Sequence, residues 1–337
     1  MTAMPRLGLG SGYDERLGVR DIAEWMRRAE DAGFEMGFFS EAARVVRDGP
    51  SAVSAMALAT SSMTLGFVQV LHIRSPLVMA QTLATLDELS GGRIVLAPGA
   101  CSPHVAARHS LPPFNAARGL VESIEAIRLL LTGESVSYHG DVVNFDDVRL
   151  GFKPIRSDIL MFLAATSRKG LEIAGQIGDG VVLDAVTSPE YSANAISLIR
   201  EAAEAAGRDW SKFTIAQIVN CSIEDDHKTA IDAIRWEVAS KVEPDQHRFQ
   251  RVKLRVGEPH MRVEDLPMFE NAWRRGGKAE LIKAVPDAYV EGLTASGTPD
   301  EVRARVEQYR TAGVQLPILR PAATHQAERL LSLFGRV

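Results

Sequence analysis

EWMRRAEDAGFEMGFFS, residues Glu24–Ser40, reads as an amphipathic helix that stops at Ala-Gly and yields, a few residues on, to an apolar strand. The same unit returns as LEIAGQIGDGVVLDA at Leu171–Ala185 and as VEQYRTAGVQLPILRP at Val306–Pro321. Gly33, Gly175 and Gly313 each stand where a helix would end in a left-handed cap, a conformation glycine adopts without a Cβ clash. A helix that repeatedly hands over to a buried strand predicts a parallel sheet with helical crossovers.

Short apolar runs at Arg6–Leu9, Thr64–Leu71, Arg93–Ala97, Ile159–Ala165 and Phe213–Asn220 raise the strand count to eight. Helical segments lie between them at 18–32, 50–62, 76–89, 116–131, 168–177, 189–206, 226–240, 299–312 and 323–334. Eight such units predict a closed (β/α)8 TIM barrel in preference to an open doubly wound sheet. The open alternative lacks its phosphate fingerprint, because Gly8-Leu9-Gly10-Ser11-Gly12 has the wrong third spacing for a dinucleotide loop. Two segments break the repeat. Residues 132–158 read as a hairpin, Val136–Tyr138 and Val142–Phe145 around His139-Gly140-Asp141, inserted before the fifth strand, and 241–298 as a charged, partly helical insertion before the eighth. One barrel domain over 1–337 carries both, and such insertions cover a site or build an oligomer contact.

The 337 residues carry a net charge of −5 and a pI near 6.0, with 46% hydrophobic and 24% charged residues. No run of Lys or Arg supplies the footprint of a nucleic-acid binder, so a small molecule is the expected substrate, with a homodimer or higher homo-oligomer as the expected assembly. Cys101 and Cys221 form neither a disulfide framework nor a metal motif, and the start of the chain lacks a secretory pattern; a cytoplasmic protein is expected. Between Asp48 and Arg74 no charge occurs, long enough for a bilayer span. The serines and threonines within it, and the break at Ser61-Ser62, favour a buried helix followed by a strand.

A barrel of this kind carries its site at the C-terminal strand ends. That filter selects Gly10 and Ser11, Ser40 and Glu41, Val68 to His72, Gly99 to Ser102, Thr166 to Lys169, Asp184, Asn220 and Cys221, and Arg320. Thr166-Ser167-Arg168-Lys169-Gly170 sets hydroxyls, free N–H groups and two cations at a helix start, which is an anion site; simple capping by Thr166 or Ser167 is the alternative. Glu41 closes an apolar strand, either as a general acid or base or as a loop charge. His104 and His109 are wrongly spaced for a metal, and no metal is expected. Lys169 opens a helix and does not project from a strand, which disfavours Schiff-base chemistry.

Arg74-Ser75-Pro76, Ala80 and the string Thr85-Leu86-Asp87-Glu88-Leu89-Ser90-Gly91-Gly92-Arg93 form an R-x-P…A…TLDELSxGR pattern, followed by Glu125–Leu130 with Gly133-Glu134, Leu171–Ile177 with Asp179-Gly180-Val181, and Gly297–Glu301. In these, over most of its length, the chain resembles the luciferase-like superfamily and, within it, the methylenetetrahydromethanopterin reductases. The resemblance implies coenzyme F420, a deazaflavin, or FMN as in other branches, bound at the barrel mouth, with Thr166, Ser167 and Arg168 on its phosphate and Ser40, Val68, Gln69 and Gly99 around the ring. It places a non-proline cis peptide near Val68-Gln69. Glu41 with Asp48 resembles the pattern of deazaflavin-dependent branches. The implied function is hydride transfer between coenzyme F420 and a small organic substrate; an FMN-dependent monooxygenase or reductase and a non-catalytic flavoprotein are the rivals. Glu41 is the expected proton carrier and His72 the second choice. Gly10 stands where the pterin reductases place a catalytic carboxylate, and Ser40-Glu41 replaces the Asp-His of many members.

Overall fold

The computed structural model describes residues 6–11, 17–41 and 47–336. The chain alternates strand and helix: β1 (Gly8–Ser11), α1 (Val19–Asp31), β2 (Met36–Phe39), α2 (Gly49–Ala59), β3 (Thr64–Val70), α3 (Pro76–Ser90), β4 (Ile94–Gly99), α4 (Pro103–Arg108) and α5 (Ala116–Leu130). A hairpin, β5 (Val136–His139) with β6 (Asn144–Val148), precedes β7 (Leu160–Ala165), α6 (Arg168–Ile177), β8 (Gly180–Leu183), α7 (Pro189–Ala205) and β9 (Thr214–Ile223). Then come α8 (His227–Lys241), α9 (His247–Val256), α10 (Leu266–Ala284), α11 (Asp287–Leu293), β10 (Ala295–Gly297), α12 (Pro299–Thr311), β11 (Leu316–Pro321) and α13 (Thr324–Phe334).

All pairings in the main sheet are parallel, in the order β9-β11-β1-β2-β3-β4-β7-β8, and β8 pairs back to β9, so eight strands close a barrel. Serine and aspartate N-caps start the helices at Asp48, Ser75, Ser102, Ser167, Ser188 and Asp226, several with proline in the first turn. The strand interior is apolar on both sides. Met36, Phe38, Val95, Phe162, Val182, Ile218 and Ile318 fill the barrel, while a second cluster packs the strands against the surrounding helices. Space inside is tight: a Cβ on Gly66 would lie 2.7 Å from the Phe38 ring, and one on Gly180 2.6 Å from that of Phe162.

Three expectations are corrected here. The first strand lies two residues later than Arg6–Leu9, because Gly8–Ser11 pairs with Met36–Phe39 while Arg6 stays outside in an ion pair with Glu35. Gly33 and Gly313 do have positive φ, at 87° and 104°, but Gly175 lies inside α6. A Cβ there would stand 2.3 Å from the Ile199 carbonyl oxygen, so this glycine serves the close approach of α7. The insertion 241–298 is also not wholly outside the sheet: β10 pairs in parallel with the far end of β9, Ala295 opposite Cys221. The uncharged stretch forms α2 and β3, and among the described residues no helix is long and apolar enough to cross a membrane.

Candidate active site

Side chains alternate across a strand, so the residue two beyond each innermost apolar one also faces inward. Beyond Phe38, Val182, Ile218 and Ile318 stand Ser40, Asp184, Asn220 and Arg320, a polar ring over an apolar core. Ser40 and Asn220 are each 2% exposed and Arg320 4%. Strand β1 contributes only Gly10, where a Cβ would crowd Ile318 at 3.2 Å and the Arg320 Cβ at 3.3 Å.

The helices after β9 supply partners for the charged members of this ring. Lys253 of α9 is fully buried; its ammonium donates to the Asp184 carboxylate at 3.0 Å and to the carbonyls of Ala185 and Val186 at 3.2 and 3.1 Å. Those carbonyls converge because Val186 has φ 57°, a strained conformation for a β-branched residue. Lys241 of α8 lies 3.9 Å from Asp184, and Glu237 of the same helix pairs with Arg320 at 3.2 Å. Burial alone would raise the Asp184 carboxyl; Lys241, Lys253 and Arg320 hold it well below the usual carboxylate range. Asp184 and Arg320 were on the strand-end register, but Lys253, Lys241 and Glu237 come from helical segments that carry no motif, and only the fold brings them to the mouth.

On the rim, Glu41 accepts from the Gly49 N–H at 2.8 Å at the start of α2. Gln69, which is buried, accepts from Arg74 Nε at 3.1 Å, and the Arg74 guanidinium reaches Asp48, the N-cap of α2. Desolvation raises the Glu41 carboxyl above its ordinary value, opposed by the Gly49 hydrogen bond and Arg74. Across the mouth, Ser167 caps α6 by accepting from Gly170 N at 3.2 Å, which leaves its hydroxyl hydrogen to donate elsewhere. The Thr166 carbonyl accepts from the Tyr191 hydroxyl at 2.9 Å. Arg168, in the first turn of α6, is exposed and makes no ion pair among the described residues, whereas Lys169 lies 3.8 Å from Glu172. Val68 packs on the inner cluster, and Gly99 continues the floor: a Cβ on it would meet only Ala164 Cβ and two carbonyl oxygens, none nearer than 3.8 Å.

One site expectation is overturned. Every peptide bond among the described residues is trans, Val68-Gln69 included, because β3 runs in unbroken register with β4 through Gln69 opposite Pro98 and Val70 opposite Gly99. His72, with φ 78°, turns towards α5: Nδ1 is 3.2 Å from Ser123 Oγ and the ring is 4.3 Å from that of Phe114. Burial there lowers its basicity, with Glu122 opposing. These contacts are with α5 and the segment before it. Among the described residues no cluster of metal-ligating side chains occurs.

Residues 1–316 match the model of the luciferase-like monooxygenase family. The chain belongs to that family. It is 28% identical over 323 residues to the 5,10-methylenetetrahydromethanopterin reductase of Archaeoglobus fulgidus, covering 94% of each chain. It is 26% identical over 342 residues to the F420-dependent glucose-6-phosphate dehydrogenase of Amycolatopsis mediterranei, covering 95% of this chain and 94% of that one. The solved coenzyme F420-dependent tetrahydromethanopterin reductase of Methanopyrus kandleri superposes with a TM-score of 0.85 at 25% identity, covering 99% of this chain and 98% of that one. Within this luciferase-like barrel, the TLDELSxGR signature is a clamp at the N-terminal ends of the strands. Asp87 accepts from Ile94 N and from Arg156, and Arg93 donates to the carbonyls of Ala57, Thr60 and Met63 at the opposite end of the barrel.

Proposed function

We propose that this luciferase-like protein is a coenzyme F420-dependent oxidoreductase that moves a hydride between the deazaflavin and a small organic substrate. The observation that carries the reading is the division of the mouth. An anion-ready helix start with the unpaired Arg168 lies at the end of β7, while the buried polar ring of Ser40, Asn220 and Arg320 occupies the half formed by β2, β9 and β11. A phosphorylated ring cofactor fits the first half: the free N–H groups of α6, the Ser167 hydroxyl and Arg168 suit a phosphate, and Val68, Gly99 and Ala164 leave a flat apolar floor for a ring. When bound, the deazaflavin supplies or accepts the hydride.

The protein's own part is to orient the substrate, exclude water and handle the proton. Two carboxylates border the mouth with their acidities shifted in opposite directions. Asp184 stays ionised in its lysine cage, while desolvation lets Glu41 hold a proton at higher pH than an ordinary glutamate. Glu41 is therefore the proton donor or acceptor in this reading. The relatives support coenzyme F420 by name. Gly10 offers no carboxylate for a methylene-pterin, which turns the reading towards a different substrate.

We also carry a homo-oligomer, in the cytoplasm, as part of this proposal. Supporting it are Leu58, 75% exposed on α2, and Leu77, Val78 and Leu89, part-exposed on the adjoining α3. The test of the catalytic reading is to mix the protein with coenzyme F420 and candidate hydride donors. Loss of deazaflavin absorbance on reduction supports it, and a protein that leaves F420 unbound contradicts it.

A further inference from the structure

Asn220 ends its inward run on β9 with both amide atoms, Nδ2 and Oδ1, buried and without a hydrogen-bond partner among the described residues. Ser40 Oγ, on the same ring, also has no hydrogen-bond partner among the described residues. The strand register sets them at the same end of neighbouring strands, with β11 and β1 between them. Asn220 lies opposite Arg320 on β11, β11 pairs with β1 at Gly8 opposite Ile318, and the Ser40 N–H donates to the Ser11 carbonyl at 2.9 Å. Gly10 puts no side chain of its own between these strands, where a Cβ would stand 3.2 Å from Ile318 and 3.3 Å from the Arg320 Cβ. A buried amide without partners is a stability liability, and one kept at the C-terminal strand ends points to a ligand that pairs with it.

We infer that Asn220 is a substrate-docking and specificity-determining residue, whose amide holds a hydroxyl group of the substrate or the carbonyl to which that hydroxyl is oxidised. The match is in the hydrogen-bond inventory. A hydroxyl both donates and accepts, as the side-chain amide does, so one group satisfies Oδ1 and Nδ2 together; the carbonyl form keeps the bond from Nδ2. The inference rests on the proposed hydride-transfer function for the identity of the ligand, but the state of the amide can be tested without it.

The test uses the full-length protein with Asn220→Val, which keeps strand propensity and approximate size, and Asn220→Ala as a second variant. Without ligand, Asn220→Val is expected to melt at or above the parental temperature, since no hydrogen bond is lost and an unpaired amide is removed. A clear fall in Tm for both variants shows a structural amide and overturns the inference. Affinity for coenzyme F420, read by its fluorescence, is expected to stay within about twofold of the parent, and a loss of about tenfold or more would assign the amide to the cofactor ring and overturn the substrate assignment. With short-chain primary and secondary alcohols and hexoses as probes, KM is expected to rise about tenfold in both variants, because a site built around a hydroxyl loses its partner. An unchanged KM, or a parent that binds F420 yet oxidises none of these alcohols, overturns the hydroxyl assignment while leaving the proposed function standing. A parent that does not bind F420 defeats the proposed function instead, and the melting comparison still decides the state of Asn220.

Discussion

At Glu41, burial and hydrogen bonding pull in opposite directions. Desolvation raises the carboxyl, while the Gly49 N–H and Arg74 favour its charged form. The net effect is upward, so any limb of the activity profile that depends on Glu41 lies above the ordinary glutamate value of about 4.3. Where the carboxylate takes up the proton, activity falls as pH drops through that raised value; where the carboxylic acid gives it, activity falls as pH rises through it. Glu41→Gln is expected to remove this limb and lower kcat by about 10² to 10⁴, with F420 affinity nearly unchanged. Parental rates across the pH range would reduce Glu41 to a rim charge capping α2. At Arg168 the test is binding alone. Arg168→Ala is expected to weaken F420 by about tenfold or more, since a charged hydrogen bond contributes about 1.5 to 3 kcal/mol. An unchanged titration would leave the phosphate to the backbone N–H groups of α6 and the Ser167 hydroxyl.

Among the elements, the inserted hairpin is held by one carboxylate. Glu122 of α5 accepts from the N–H groups of Asp141, Val142 and Val143 and from Arg118, and although burial alone would raise it, these bonds bring it down to about 2. A depressed carboxylate stabilises above its unfolded value and loses that contribution as pH falls through the folded one. The hairpin clamp is thus complete above about pH 5 and released towards pH 2. Glu122→Gln is expected to cost about 1 to 3 kcal/mol at neutral pH and to flatten the acid limb of the stability curve, measured by denaturant melts at several pH values. Gly175→Ala is expected to cost about 1 to 3 kcal/mol, because its Cβ would press on the Ile199 carbonyl of α7. A parental melting temperature would show that α6 and α7 can part without penalty. Gly175 also marks a limit of sequence reading: Ala-Gly after a helical run looks the same at a helix end, as at Gly33, and at a helix crossing. Only the register of the following strand separates the two.

For the whole molecule, the barrel was legible because helix and strand alternate with a repeated handover, and because strands buried on both faces read as unbroken apolar runs. The strand-end rule also brought Ser40, Asp184, Asn220 and Arg320 into view, since it depends only on chain direction. What stayed hidden depends on long-range packing. Lys253 and Lys241 reach Asp184 from helices whose local sequence shows only charge, and the contacts of His72 with Ser123 and Phe114 join segments far apart in the chain. The familiar TLDELSxGR string located the family without locating the chemistry, because Asp87 and Arg93 clamp the closed end of the barrel. The central claim is that this mouth holds a deazaflavin, and a paired fluorescence titration of the purified full-length protein with coenzyme F420 and with FMN tests it most directly. The account predicts saturable binding of F420 at least about tenfold tighter than that of FMN. FMN binding tighter than F420, or no binding of F420, would contradict it.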